Sequence, residues 1–148
     1  MARIGLLAAV TAALLPVAAV NAQQLSENDI FALYCLGTFR FSSAGLAENY
    51  RKACPTGNET DCDWMRDVGK TNEDGLNRVK RYLAARGYLS GGQPGLTSQM
   101  EVAARSGEDD MRRCLEWRMN NLDAVLAGRE PQFCKQTDKC GDLSRLPM

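Results

Sequence analysis

The 148-residue chain contains no histidine, and this absence removes several kinds of active site. Serine and cysteine nucleophiles usually pass their proton to a neighbouring imidazole. Zinc sites with a histidine ligand are excluded for the same reason. The sequence also lacks a CxxC spacing, which removes the common thiolate zinc pattern and a CxxC redox centre. We therefore expect no metal, no cofactor and no enzymatic activity.

A net charge is also missing, because 18 lysine and arginine residues balance 18 aspartate and glutamate residues. Binding to nucleic acid or to an anionic membrane usually depends on an excess of positive charge. The cationic stretch at residues 78–88 fits an amphipathic helix with Val79, Tyr82 and Leu83 directed inward and its cations directed to solvent. We therefore expect no nucleic-acid partner.

Clusters of acidic residues are the remaining candidates for chemistry. They are Asp61 with Asp63, Glu73 with Asp74, and Glu108 with Asp109 and Asp110. A calcium loop aligned on Gly75 would place Lys70 and Arg81 at ligand positions that require carboxylates. Acids are favoured at helix N-termini by the helix dipole. We therefore interpret each cluster as the start of a helix rather than as a catalytic or metal site.

Residues 1–22 have the pattern of a secretory signal peptide. Arg3 precedes an apolar run at residues 4–20, and small side chains precede a cleavage point after Ala22. A transmembrane anchor is the alternative, but Pro16 and the polar residues that follow end the run early. We predict a periplasmic or secreted mature chain without a membrane span.

Six cysteines follow the predicted cleavage point: Cys35, Cys54, Cys62, Cys114, Cys134 and Cys140. An even number in an exported chain predicts three disulfides, each typically worth about 2–4 kcal/mol. We favour a Cys54–Cys62 bond across a short loop between antiparallel helices. The other pairs are then Cys134–Cys140 with Cys35–Cys114, or an alternative in which Cys114–Cys134 pins the tail.

Hydrophobic spacing predicts an all-α protein, a small disulfide-stapled bundle of three or four main helices at residues 23–131, with an irregular cysteine-tied tail at residues 132–148. Ser26 is a predicted N-cap, and Gly87 is a predicted C-terminal stop. Glycines favour a kink or two short helices within residues 37–45 and a bend or break within residues 69–75. Residues 88–96 are predicted to be a loop, with helix starts following at Ser98 and Ser106.

Apolar residues repeat at helical spacing in two long segments. The first stripe comprises Met65, Val68, Asn72, Leu76, Val79 and Leu83, and the second comprises Met111, Leu115, Arg118, Leu122 and Val125. Trp64 and Trp117 lie in these helical segments, and we expect both to be core residues. An exposed indole would instead indicate contact with a partner or a sugar.

Two short stretches resemble known families. Residues 79–92, VKRYLAARGYLSGG, resemble the helix and glycine turn of peptidoglycan-binding repeats, and this resemblance implies a cell-wall ligand. The aspartate-glycine turn and the aromatic-glutamine helix of those repeats are missing here. Residues 34–45, YCLGTFRFSSAG, resemble small disulfide-linked periplasmic immunity proteins of bacterial secretion systems. No residue role is carried over from either family.

A rigid scaffold without assembled reactive groups favours recognition as the function. We expect an exported protein that binds another protein, as an inhibitor, immunity factor or envelope accessory. Binding to the cell wall or to a glycan is the alternative. Loops commonly carry recognition, so the expected surface is the loop at residues 88–96, beside Tyr82 of the preceding helix, or the tail. Its candidate residues are Tyr82, Tyr88, Leu89, Gln93 and Leu96.

Overall fold

The computed structural model describes residues 24–54, 62–89 and 94–147, with the backbone alone at residues 94–96. Its helices are α1 (Glu27–Ala53), α2 (Cys62–Ala85), α3 (Pro94–Asn120), α4 (Leu122–Leu126) and α5 (Gln132–Asp138), followed by a 3-10 helix (Lys139–Gly141). No strand occurs in these ranges. The predicted all-α, disulfide-stapled class is confirmed. The predicted signal peptide lies outside the described residues.

Helix α1 is the central element and packs against both α2 and α3. Its start matches the prediction, because Ser26 and Asp29 form a reciprocal capping box. The predicted division into two short helices within residues 37–45 is wrong, since α1 is continuous. Gly37 instead allows α3 to cross closely, and a Cβ at this position would overlap the carbonyl oxygen of Ala104. Gly107 of α3 likewise faces the Tyr34 carbonyl.

Helix α2 also continues through its glycines. A break within residues 69–75 is excluded, and the ring of Phe39 lies against Gly75. Packing with α1 therefore outweighs the weak helix propensity of glycine. The predicted stop at Gly87 is confirmed by its positive φ of 77°. Val79, Tyr82 and Leu83 are buried while Lys80 and Arg81 face solvent, as their spacing predicts, whereas Arg78 is half-buried.

Helix α3 begins earlier than its serines indicate. Pro94 occupies the first helical position, where a missing N–H costs least. The predicted starts at Ser98 and Ser106 are wrong, because both lie inside one continuous helix. The Ser106 hydroxyl donates to the Val102 carbonyl 2.9 Å away, one turn earlier. Residues 94–96, predicted to belong to a loop, therefore form the start of α3, and residues 90–93 lie outside the described residues.

The C-terminal segment is helical over Gln132–Asp138, which corrects the prediction of an irregular tail. Cysteines hold it as predicted, and both the favoured Cys54–Cys62 bond and the alternative Cys114–Cys134 bond are confirmed. The disulfides are Cys35–Cys140, Cys54–Cys62 and Cys114–Cys134. The first bond ties the tail to the middle of α1, so the predicted Cys35–Cys114 and Cys134–Cys140 pairs are wrong.

Ion pairs add to this attachment of the tail. Arg118 donates to both carboxylate oxygens of Glu130, at 2.7 and 3.0 Å, and to Asp138 at 2.7 Å. The hydrogen bond with Glu130 raises the pKa of the Arg118 guanidinium further, and Asp138 adds to this effect. Arg118, which interrupts an apolar stripe in the sequence, therefore binds α3 to the segment that follows it.

The core occupies only one part of the bundle. We call residues 27–39 of α1, residues 77–85 of α2 and helix α3 the proximal half, and residues 40–53 with residues 62–76 the distal half. Nearly all of residues 29–39 are buried, whereas residues 40–53 contain no buried residue. By length and hydropathy α1 could cross a membrane, but half of its most apolar window is buried in the bundle. A core helix passes the same test.

Candidate functional site

The most distinctive surface of the distal half is an open groove between α1 and α2, with a volume of about 610 Å³. Among the described residues, these two helices line it. The apolar part of its lining consists of Leu46, Ala47, Tyr50, Met65 and Leu76. Four of these side chains are half-buried and Ala47 is exposed, so the groove presents apolar surface to solvent.

The groove exists because the two helices run antiparallel with a glycine between them. The Cys54–Cys62 disulfide joins the helices at one end. Further along, Gly69 faces Leu46, and a Cβ at Gly69 would lie 3.5 Å from the Leu46 Cδ2 atom. That distance is an ordinary van der Waals contact, so a side chain could be accommodated there. The missing side chain leaves the groove deeper at its centre.

Charged residues mark the rims of the groove. Arg51 and Arg66 line it near the disulfide, and Glu73 lines it further from the disulfide. Arg66 donates to Asp63 at 2.7 Å, in an exposed ion pair. A hydrogen bond with Tyr50, together with the nearby Asp63, raises the pKa of Arg66. The buried Ser43 hydroxyl at the lining has no hydrogen-bond partner within the described part of the chain.

Trp64 is 67% exposed, so the expectation of a core position is wrong for this residue. Consecutive helical residues are about 100° apart, and Met65 rather than Trp64 faces α1. The indole therefore lies in the distal half but outside the groove lining. Trp117 is half-buried.

Two of the sequence-predicted surface residues, Tyr82 and Tyr88, are buried, so the prediction is wrong for them. Their hydroxyls donate to the Asp29 carboxylate at 2.9 and 3.1 Å. Arg86 donates to both oxygens of the same carboxylate, at 3.1 and 3.2 Å. These residues fasten the start of α1 to the end of α2, and their rings are not available to a ligand.

The Asp29 carboxylate is fully buried but remains ionised. Burial alone would raise its pKa, whereas hydrogen bonds from Arg86, Ser26 and Tyr82 lower it, and the pKa lies well below the ordinary range. Burial and the nearby carboxylate raise the pKa values of Tyr82 and Tyr88. Asp29 is therefore an anionic hub of the proximal half: its carboxylate accepts the hydrogen bonds that join the start of α1 to the end of α2.

The other predicted surface residues are not brought together with these tyrosines. Leu89 is 45% exposed. Gln93 lies outside the described residues, and Leu96 belongs to the first turn of α3 with only its backbone described. The structure therefore places one of the five candidates, Leu89, on an exposed surface.

A second cleft of about 570 Å³ lies between the start of α1 and α3. Leu25, Ile30 and Val102 contribute apolar surface to its lining. Tyr34 also lines it and donates to Asp110 at 3.0 Å. Burial and this hydrogen bond raise the pKa of the Tyr34 phenol, so it remains protonated.

The acidic clusters are predicted to be helix starts. Among their described residues, Asp63 alone lies in the first turn of a helix. Glu73 and Asp74 lie inside α2, and residues 108–110 lie inside α3, because both helices are longer than predicted. Ion pairs with Arg112 and Arg113 engage the three acids of α3. Over the described ranges, no group of three or more metal-binding side chains could hold an ion. Asp61 is outside those ranges.

Comparison of the chain with protein-family models, curated proteins and solved structures finds no match. The functional inference therefore depends on the geometry of the described residues. Sequence reasoning did not identify the α1–α2 groove. The sequence does contain an indication of the groove. It is an apolar stripe on α2 that includes a glycine, together with an apolar patch late in α1; the stripe consists of Met65, Gly69 and Leu76.

Proposed function

We propose that this protein acts by binding another protein, and that the α1–α2 groove of the distal half is the docking site. The main support for this proposal is the open groove itself, in which four half-buried apolar side chains face solvent between two helices. Contiguous exposed apolar surface commonly marks interaction sites in proteins. The fixed frame around the groove lowers the entropy cost of binding.

The disulfides support an oxidising, extracellular-type location for this function. Within that setting we propose a periplasmic or secreted protein, exported by the signal peptide at residues 1–22. An inhibitor, an immunity factor or an envelope accessory fits a stable scaffold whose task is recognition. No catalytic role is proposed for any residue.

Site-specific photocrosslinking in the native host tests this function. A photoreactive amino acid is introduced at Ala47, an exposed residue of the groove lining, and at Asn49 as the matched control. These residues lie two positions apart on α1 and therefore point about 200° away from each other. The expected result is a discrete crosslinked protein adduct from position 47 and none from position 49.

The adduct should disappear when Gly69→Met fills the groove. Equal adducts from positions 47 and 49, or an adduct insensitive to Gly69→Met, would show that the groove is not the docking site. The absence of any adduct from position 47, with the protein folded and exported, would count against the protein-binding function.

Binding to a glycan or to the cell wall is the second candidate, and exposed Trp64 favours it because a sugar ring can pack on an open indole. Tyr82 and Tyr88 no longer support this candidate, because both are buried. Co-sedimentation with purified peptidoglycan tests it, with Trp64→Ala as the matched variant. Protein that remains in the supernatant would eliminate the glycan candidate.

A further inference from the structure

We propose that the occupant of the α1–α2 groove is an amphipathic helix of the partner, two to three turns long, with acidic residues at one end and a basic residue at the other. The acidic end meets Arg51 and Arg66, and the basic end meets Glu73. This inference rests on the proposed protein-binding function and specifies the chemistry of the partner.

The length follows from the lining of the groove. On α1 it extends from Ser43 to Arg51, and on α2 from Met65 to Leu76. At 1.5 Å per residue these stretches correspond to about 12 Å and about 16 Å. A helix of about 8–11 residues has the same length. A segment of this size places apolar side chains at i, i+3, i+4 and i+7 on one face.

The shape of the groove favours a helix over other occupants. Two antiparallel helices form its walls, and a third helix packs into such a channel with standard helix-to-helix geometry. In the proximal half a helix, α3, also packs against α1, although with little contact to α2. Binding of an apolar helical face in a groove is a recurrent mode of recognition. A partner helix would cover the distal half of α1, as α3 covers its proximal half.

The distribution of charge defines the ends of the occupant. Arg51 and Arg66 lie close to the Cys54–Cys62 disulfide, in the last turns of α1 and the first turns of α2. Glu73 is almost two turns further along α2 than Arg66. The groove thus has a cationic end and an anionic end. The Arg66–Asp63 pair is exposed and therefore contributes little to stability.

The chain's own exposed helix does not satisfy these requirements. Helix α4 exposes Leu122 and Leu126 but contains five residues, which is too short for the groove. Asp123 is its only charged residue. A helix from a different protein is therefore the occupant we propose, and self-association through the groove would contradict the proposal.

The probe is a synthetic, covalently stapled helical peptide of 12 residues. It carries leucines at i, i+3, i+4 and i+7, two glutamates in one terminal turn and a lysine in the other. A staple is needed because short isolated helices are only marginally stable in water. A second peptide has both glutamates replaced by lysine. Fluorescence anisotropy of the labelled peptides measures binding to the disulfide-bonded protein.

Gly69→Met and Gly45→Met separate groove filling from general effects on the helix. Gly69 lines the groove, whereas Gly45 has open space around it. Both changes replace a helical glycine by a better helix former, so neither should unfold the protein. We expect Gly69→Met to weaken binding of the acidic-ended peptide more than tenfold and Gly45→Met to leave it unchanged. Equal effects of the two variants would overturn the proposal.

Charge reversal tests the two ends. Replacing both Arg51 and Arg66 by glutamate should weaken binding of the acidic-ended peptide about tenfold, because attractive contacts become repulsive. The same variant should bind the second peptide, in which lysines replace both glutamates, more tightly than the wild type does. Arg81→Glu, on an exposed part of α2 outside the groove lining, is the control and should change neither affinity.

The two proposals fail in different ways. A protein adduct at position 47 without binding of the acidic-ended peptide would overturn the helical occupant and leave the protein-binding function standing. Binding of both peptides with equal affinity would overturn the charge assignment. A change in sedimentation behaviour on Gly69→Met, with the protein alone in solution, would show that a second copy fills the groove and would overturn the proposal.

Discussion

The two halves of helix α1 have the same secondary structure and very different surroundings. In the proximal half, residues 31–39 are buried because α2 and α3 cover α1. In the distal half, residues 40–53 contain no buried residue, and the described lining of the groove comes from α1 and α2. One half therefore contains the core and the other leaves an apolar groove open. The division suggests that the proximal half maintains the fold while the distal half is free to bind.

The disulfides provide the strongest test of this division. Cys35–Cys140 closes a loop with a sequence separation of 105, whereas Cys54–Cys62 closes one of 8. We expect the Cys35→Ala/Cys140→Ala variant to lose about 4.7 kcal/mol of unfolding free energy, and Cys54→Ala/Cys62→Ala to lose less than about 3 kcal/mol. Chemical denaturation of both variants under non-reducing conditions measures these losses. Equal losses would contradict the division.

The next largest effect is expected at Asp29, the anionic hub of the proximal half. Asp29→Asn weakens the hydrogen bonds from Arg86, Tyr82 and Tyr88, and we expect a loss of about 2–3 kcal/mol at pH 7. Glu48→Gln, which removes an exposed ion pair of the distal half, should have a much smaller effect. Thermal or chemical denaturation of the two variants compares them.

The pH dependence gives this prediction a second readout. The pKa of Asp29 is lower in the folded protein than in the unfolded chain, so its contribution is complete above the unfolded pKa of about 3.9. The contribution is lost as the pH falls from about 5 toward the folded pKa. The stability difference between the wild type and Asp29→Asn should therefore shrink on acidification. A difference that stays constant down to pH 3 would show that the charge of Asp29 is not responsible.

A pair of glycines on α1 compares the two halves directly. A methyl group at Gly37 would overlap the Ala104 carbonyl, so Gly37→Ala should cost about 2 kcal/mol or more through overpacking. Gly45 has open space around it, and Gly45→Ala should stabilise the helix by about 0.5–1 kcal/mol. The two substitutions are chemically identical, and opposite signs are expected in the same denaturation experiment. Two changes of the same sign would refute the packing difference.

Some features of the molecule could be predicted because their causes are local. The Ser26 cap, the stop at Gly87 and the Cys54–Cys62 bond depend on residues close in sequence. The continuity of α1 through Gly37 could not be predicted, because the crossing helix lies about seventy residues away in sequence. Tertiary packing there outweighs the low helix propensity of glycine.

The candidate site was harder to predict for a similar reason. Tyr82 and Tyr88 have the residue type of a binding surface, but Asp29, which lies 53 and 59 residues away from them, buries both hydroxyls. An apolar stripe such as Met65, Gly69 and Leu76 indicates a buried face and does not reveal how much of it a neighbouring helix covers. The groove remains open because no described helix covers this part of α1 and α2, and only the assembled fold shows this.

The smallest effect on stability is expected at Trp64, although tryptophan is the largest side chain. Trp64 is 67% exposed in the distal half, so Trp64→Ala should change the unfolding free energy by less than about 0.5 kcal/mol. Leu83 is fully buried in the proximal half, and Leu83→Ala should cost about 2–5 kcal/mol. Denaturation curves of both variants give the comparison. A loss above about 1 kcal/mol at Trp64 would mean that the indole supports the fold, because surface substitutions rarely have such an effect.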